Sequence, residues 1–300
     1  MQQPLYLETE PEEIDKRILK LRRVWENCTL CPRFCKINRA HNEKGTCRAG
    51  NRLFLASFGP HYGEESVLTG SRGSGTIFFM HCNLECVFCQ NWSISRAVEK
   101  GEETSTEELA DIMLQLQKQG CHNINLVTPT PYLPLIVEAL GKALPGGLKL
   151  PLVYNCGGYE NPETLQLLQG LVDIYMPDAK YFNLEIAQKY SGVQAYPHYL
   201  KESLKEMYRQ VGDLELDQRG LAYRGLLIRH LVLPHELAGT EELADFLAKE
   251  VSMKTALNVM DQYYPAYRAR EYPELNRRTT REEFLKAADA AQKRGLRITR

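Results

Sequence analysis

Three hundred residues suffice for one large α/β domain with an appendage, or for two ordinary domains, and 43% apolar residues give ample material for a core. No run approaches the roughly eighteen consecutive apolar residues of a membrane span, and a formal net charge of −1 gives no general drive towards nucleic acid or an anionic membrane. The start, Met1 to Glu8, lacks the basic-then-apolar pattern of a secretory signal, so a cytoplasmic protein is expected.

Pro11 suits a first helical position, and Ile14, Ile18, Leu21 and Trp25 then recur at helical spacing, which predicts a helix over residues 11–26 with one face on the main body. Its basic run, Lys16 to Arg23, reads as a solvated helix face. A loop-like stretch to about residue 50 carries Cys28, Cys31, Cys35 and Cys47. The chain has nine cysteines, an odd number that suits disulfides poorly in a reducing compartment, and their clustering points to metal. Spacings of x2, x3 and x11 make a good tetrathiolate site, with His41 as an alternative ligand. Such a site would staple a loop with little core of its own. Structural zinc, an auxiliary iron–sulfur cluster, and inert or redox-active thiols are the readings of this set. Gly59-Pro60, Gly63, Gly70, Gly73 and Gly75 are expected to mark turns leading into the first strand.

From residue 75 the chain alternates strand and helix, the pattern of parallel βα units. Strands are predicted at Thr76–Met80, Asn123–Val127, Leu150–Tyr154, Val172–Met176, Tyr223–Leu233 and Ala256–Met260. Between the first two, Leu109, Ile112, Met113 and Leu116 form a helical stripe after the capping-box pattern Ser105-x-x-Glu108. Further helices are predicted at Tyr132–Ala143, Pro162–Gln169, Leu184–Tyr190, His198–Gln210, Glu241–Glu250 and Arg281–Arg294. Six units predict an α/β fold, a partial (βα)6 barrel over residues 71–300 with a C-terminal helix, preceded by a Cys-rich extension over residues 1–70. Functional groups of such barrels collect at the C-terminal ends of the strands.

The first strand runs into His81-Cys82-Asn83-Leu84-Glu85-Cys86-Val87-Phe88-Cys89-Gln90. Thiolates at C-x3-C-x2-C spacing fit three corners of an iron–sulfur cubane, which leaves one iron open. Closed zinc with His81 as fourth ligand is the alternative, and the strand-like run just before the motif favours the cluster. Strand two ends in Thr128-Pro129-Thr130-Pro131 and strand three in Asn155-Cys156-Gly157-Gly158, whose glycines permit close backbone approach to a ligand or serve as ordinary turn residues. After strand four, Asp178 and Lys180 stand two residues apart and so face one side, where they bind a polar ligand or form a surface ion pair. On strand five, Arg224, Leu226, Ile228 and His230 share one face and Arg229 lies on the other. Gln262 and Tyr263 are candidates for a substrate mouth after strand six, and Cys121 and Cys156 read as small buried residues.

With its cluster motif, the Cys-Pro-Arg-x-Cys near the start, Gly-Ser-Gly-Thr-Ile-Phe-Phe, Asp-Ile-Tyr-Met-Pro-Asp-Ala-Lys and Arg-Gly-Leu-Leu-Ile-Arg-His-Leu-Val-Leu-Pro, the chain resembles radical S-adenosylmethionine (SAM) enzymes. Within them it looks like the PflX-like branch, which is similar to the pyruvate formate-lyase activating enzymes. The resemblance covers residues 28 to 270. It implies a [4Fe-4S] cluster on Cys82, Cys86 and Cys89, SAM chelated to the open iron, and reductive cleavage of SAM to a 5'-deoxyadenosyl radical that abstracts hydrogen. It further implies that Phe88 lies near the adenine and that Asp178 and Lys180 match an Asp-x-Lys element. A basic residue of strand five should reach the SAM carboxylate or ribose, with His230 favoured over Arg229. The usual Gly-Gly-Glu after strand two is missing, so groups around Thr128 and Thr130, with Asn155, Gly157 and Gly158 nearby, would take its place against SAM. Implied partners are an electron donor such as flavodoxin or ferredoxin and a glycyl-radical enzyme to be activated. Another peptide or a small metabolite is the alternative substrate. From a different class, a zinc-stapled binding module without chemistry is the competing reading.

Overall fold

The computed structural model describes residues 3–96 and 101–299. Its first helix, α1 (Pro11–Glu26), buries Ile14, Leu21 and Trp25, and Glu12 and Glu13 sit at the positive end of the helix dipole. Then follow β1 (Leu53–His61), α2 (Ser66–Thr69), β2 (Ser74–Phe79), α3 (Trp92–Ser95), β3 (Glu102–Thr104), α4 (Thr106–Lys118) and β4 (Ile124–Val127). The middle of the chain forms α5 (Leu133–Ala143), β5 (Leu152–Cys156), α6 (Pro162–Gln166), β6 (Ile174–Pro177), α7 (Leu184–Ser191) and α8 (Tyr196–Val211). The remainder forms β7 (Glu215–Leu216), β8 (Ala222–Leu231), α9 (Thr240–Phe246), β9 (Ala256–Met260), α10 (Arg281–Lys293) and β10 (Arg297–Thr299).

All six expected strands are present, and β2, β4, β5, β6, β8 and β9 are parallel neighbours in that order. The sheet continues past β9 to β10 and past β2 to the antiparallel β1 and β3, and among the described residues its two ends do not pair with one another. The result is a partial barrel with one open side. Ile77, Leu126, Tyr154, Tyr175 and Leu226 lie in one register row and pack outward into the main core among the helices. Val153, Ile174, Met176, Leu227 and Ala256 occupy alternate positions and pack on the concave face against Leu68 of α2. Ser105 caps α4 with the expected reciprocal bonds to Glu108, and Thr280 with Glu283 does the same for α10.

Several expectations differ from what is observed: Gly75 lies inside β2 rather than in a turn, and the helix expected over Pro162–Gln169 ends at Gln166. Gly59-Pro60 lies inside β1 rather than in a turn, because β1 has β3 beside it only over Leu53–Leu55 and Pro60 therefore faces a strand on one side alone. The helix expected over Glu241–Glu250 changes character at Leu247, where α9 runs on as a π-helical turn to Val251. The chain ahead of residue 70 is joined closely to the rest. Beyond the β1 pairing, Leu5 N–H and Leu152 N–H both donate to the Asp173 carboxylate, at 2.7 and 2.8 Å, and α1 packs on α5.

Candidate functional site

The C-terminal ends of the parallel strands surround a cavity of about 240 Å³, which collects groups from elements far apart in sequence. Cys82, Cys86, Phe88 and Cys89 reach it from the loop after β2. His81 turns the chain out of β2 in the left-handed region (φ 73°), and its N–H donates to Ile94 O. Val87 N–H donates to Tyr190 O, so α7 backs the loop. Each thiol has a polar neighbour: Leu84 N–H donates to Cys82 Sγ (3.4 Å), Ser191 Oγ–H to Cys86 Sγ (2.9 Å), and Ser95 Oγ lies 3.3 Å from Cys89 Sγ. Burial pushes the Cys82 thiol up to about 12 and raises Cys86 as well. Thiols of this kind stay protonated unless a metal holds them as thiolates. Among the described residues, no three His, Cys, Asp or Glu side chains are gathered as ligands of a single metal ion. A cubane makes a different demand, since each thiolate binds its own iron.

Opposite the thiols stands a chain of charges. The Asp178 carboxylate accepts from Lys180 Nζ (2.7 Å) on one oxygen and from Arg229 Nε (2.8 Å) on the other. Arg229 also donates to Asn155 Oδ1 (2.8 Å) and Glu64 Oε2 (3.2 Å). Burial alone would raise the Asp178 carboxyl, but Arg229 and Lys180 outweigh it and hold Asp178 down to about 2. Burial would likewise lower Lys180, yet the charge of Asp178 and its hydrogen bond keep the ammonium protonated. Lys180 uses one of its ammonium donors on Asp178, leaving others for a ligand. The turn that carries these groups is fixed by Tyr196, whose hydroxyl accepts from Lys180 N–H (2.9 Å) and lies 2.8 and 2.9 Å from the carbonyls of Asp178 and Gly157.

Of the expected residues, Phe88, Thr128, Asn155, Gly157, Asp178, Lys180, Arg229 and Gln262 line this cavity. His230 does not. It is wholly buried on the helix side of β8, with Nδ1 2.7 Å from Ala179 O and Nε2 2.8 Å from Thr240 Oγ1. Burial lowers its pKa to about 4, so it is a neutral, fully hydrogen-bonded core residue. Arg229, on the other face of β8, holds the cavity side. Tyr263 is also buried rather than at a mouth, and its hydroxyl donates to Leu275 O. Gly158 (φ 72°) packs against Asp178 O and the Tyr196 hydroxyl. Thr130 turns away to donate to Glu160 Oε1 (2.9 Å), and Tyr154 donates to Oε2 (3.0 Å). Burial raises Glu160 to about 7. Cys121 and Cys156 are buried. His81 lines the cavity with Nδ1 on the Tyr132 hydroxyl, and burial with nearby cations lowers it to about 4. Glu64, Ser191 and Tyr196 carried no signal in the sequence. Their roles arise from contacts over separations of 16 to 165 residues.

Cys28, Cys31, Cys35 and Cys47 line one small void of about 10 Å³, with Arg33, Arg39 and Thr130 among the other walls and His41 outside it. Arg33 donates to Asn83 O (2.9 Å) and Gly192 O (2.8 Å), which ties this loop to the back of the cavity loop. Arg39 is wholly buried over the Trp25 ring and donates to Gly50 O. Burial raises the thiols of Cys31 and Cys47.

Residues 76–247 match the profile of the Radical SAM superfamily. The chain is 35% identical over 295 residues to the uncharacterized protein MJ0674 of Methanocaldococcus jannaschii, covering 95% of this chain and 80% of that protein. Among solved structures it is similar to Streptococcus suis SuiB bound to S-adenosylmethionine, at a TM-score of 0.49 and 14% identity, over 73% of this chain and 48% of SuiB. A radical SAM methyltransferase from Sphaerobacter thermophilus matches at a TM-score of 0.47 and 16% identity, over 73% of this chain and 62% of the methyltransferase. The chain thus spans about half the length of SuiB and under two thirds of the methyltransferase.

Proposed function

The chain belongs to the radical SAM superfamily, and on that premise we propose that Cys82, Cys86 and Cys89 are the protein ligands of its [4Fe-4S] cluster and that the cavity beside them receives SAM. When bound, the cluster and SAM supply the radical chemistry that removes a hydrogen atom from the substrate. The observation that carries the assignment is the meeting of three thiols with the Lys180–Asp178–Arg229 chain in one cavity. Lys180 offers its remaining donors to the SAM carboxylate, and Asp178 holds the ammonium in position. Arg229 acts one step back by fixing Asp178 and Asn155. Phe88, packed edge-on to Tyr181 and Tyr263, presents an apolar wall to the adenine. Thr128 and Gly157 offer backbone to the same ligand. Anaerobic reconstitution, iron and sulfide analysis and a SAM-cleavage assay with a chemical reductant test this reading. About four irons per chain and deoxyadenosine formation are expected, whereas a colourless zinc protein without SAM affinity would overturn it in favour of a binding module.

In its most specific form the function is activation of a glycyl-radical enzyme, with flavodoxin or ferredoxin as electron donor. The Asp178-x-Lys180 element and a sheet open on one side, able to admit a polypeptide loop, support that form. A glycyl radical appearing by electron paramagnetic resonance in a glycyl-radical enzyme of the same host is its test, and absence of any such enzyme from the host removes it.

Cys28, Cys31, Cys35 and Cys47 are proposed to hold a second metal whose role is structural. All four thiols line one void, the donor set of a closed tetrathiolate zinc site, with an auxiliary cubane as the alternative. The four thiols would draw together around the metal, and metal binding there is coupled to folding of the loop.

A further inference from the structure

Asn83-Leu84-Glu85, the segment between the first two cavity cysteines, is gripped by two arginines from elements far apart in sequence. Arg33, in the N-terminal loop, donates to Asn83 O (2.9 Å), Gly192 O (2.8 Å) and Ser191 O (3.3 Å). Arg96, just after α3, donates to Leu84 O. Glu85 stands between them, with Oε1 3.2 Å from Arg96 Nη1 and Oε2 3.9 Å from Arg33 Nη2. The side chains of Arg33 and Arg96 are 13% and 7% exposed, against 43% for Glu85, so water screens the acid more than the two cations. A net positive field is left on the buried side of the loop. Burial raises the Cys82 and Cys86 thiols, and the charge of Arg96 opposes it at both. Two buried guanidiniums against one partly solvated carboxylate are costly unless further negative charge is held nearby. Thiolates at Cys82, Cys86 and Cys89 supply that charge when they ligate a cluster.

We propose that Arg33 and Arg96 are positioning residues for the cluster: they fix the backbone between Cys82 and Cys86 and favour the reduced cluster, while Glu85 opposes them. Reduction adds one electron, from a low-potential donor such as flavodoxin or ferredoxin, with no bond made or broken, so the negative charge held by the loop grows by one unit. Fixed cations beside the ligands stabilise that added charge, and a fixed anion does the reverse. Loss of either arginine's charge therefore makes the cluster harder to reduce, and loss of the Glu85 charge makes it easier. A general disturbance of the loop has no reason to change sign between these variants. The effect on reduction rests on the assignment of the three cysteines above, whereas the grip on the loop rests on the hydrogen bonds alone.

The test is a redox titration of the full chain, reconstituted anaerobically without SAM and poised with dithionite and mediators. Electron paramagnetic resonance reads the reduced cluster, and iron and sulfide are counted for each variant. At the potential that reduces half of the unsubstituted protein, Arg33→Gln and Arg96→Gln should each lower the reduced-to-oxidised ratio about threefold or more at full iron content. Arg96→Lys keeps the charge and should stay within about threefold. Glu85→Gln should raise the ratio. Arg219→Gln, ahead of β8 and so at the other end of the strands, should change nothing. The proposal is overturned by a smaller shift in Arg33→Gln or Arg96→Gln at full loading, by an Arg96→Lys protein as hard to reduce as Arg96→Gln, or by an unchanged or lowered ratio in Glu85→Gln. Where the arginine variants fail to load iron, Glu85→Gln, at a partly exposed position, decides alone by the same criterion. Should the unsubstituted protein load no cluster, the ligand assignment falls, and hydrogen exchange over residues 82–89 of the metal-free chain judges the grip. Faster exchange in Arg33→Gln upholds the grip, and unchanged exchange overturns it.

Discussion

Cys86 is nearly buried, and its sulfur accepts one hydroxyl hydrogen bond from Ser191. Cys86→Ala therefore removes little packing, and we expect a loss of about 1–2 kcal/mol at most, with an unchanged circular dichroism spectrum. Deoxyadenosine formation should vanish all the same, because no other protein group is available for that iron. Retained cleavage in this variant would refute the ligand assignment. Lys180→Ala should leave the iron content intact and weaken SAM binding by roughly tenfold or more, since one charge-assisted contact is lost. Equilibrium dialysis with labelled SAM reads this directly, and unaltered affinity would return Lys180 to a purely structural ion pair with Asp178. Arg229→Met is a different kind of change. It takes the cation away from the buried Glu64 and leaves Asp178 with Lys180 alone, and a loss of stability on the order of 3 kcal/mol is expected in a denaturant titration.

At the scale of elements, the N-terminal loop and the barrel should respond separately. The loop from Cys28 to Cys47 has little regular structure, one buried arginine and four thiols around a small void. Cys31→Ala should raise hydrogen exchange and proteolysis within the first fifty residues while the parallel strands stay protected, if metal staples the loop. Normal protection there would argue against a structural metal, and iron beyond one cubane per chain would replace zinc by a second cluster. The capped helix α4 provides a calibration that involves no metal. Ser105→Ala removes the acceptor of Glu108 N–H and should cost about 1 kcal/mol in global stability. Both predictions concern stretches whose sequence signals are local, and both the capping box and the cysteine spacings are legible without coordinates for that reason.

For the whole molecule, buried carboxyls and buried histidines pull the pH dependence in opposite directions. Burial raises Glu160 and Asp173 to about 7 each. In the unfolded chain both ionise near pH 4, so between there and pH 7 the folded state binds more protons. The stability they contribute is therefore complete at the acid end of that window and is lost as pH rises through about 7. Asp178, held down to about 2, works in the opposite sense, and its contribution is present above its unfolded value and lost as pH falls towards 2. The buried histidines His81 and His230, lowered to about 4, act in that same sense, and what they contribute is lost as pH falls from about 6.5 towards 4. The carboxyl contribution is therefore read by difference: the stability of Glu160→Gln relative to the unsubstituted protein should rise by on the order of 3 kcal/mol between about pH 4 and pH 7 in thermal unfolding. A difference that stays constant across that range would contradict the burial assigned to Glu160.

The sequence by itself determined the parts of this protein that are written within short windows. The eight residues from Cys82 to Cys89 carry the thiol spacing, apolar periods locate the six parallel strands and α1, and Asp178 and Lys180 share a side because a strand repeats every two residues. Only the tertiary structure decided which face of β8 meets the cavity. A parallel strand is buried on both faces, so alternation separates Arg229 from His230 without saying which lies inside. The same holds for β1, where Gly59-Pro60 reads locally as a turn and becomes strand by pairing with β2. It holds most for Ser191 against Cys86, 105 residues away, and for Glu64 against Arg229, 165 residues away, because contacts at that separation come from the curvature of the sheet and the packing of its loops and leave no pattern in the chain on either side.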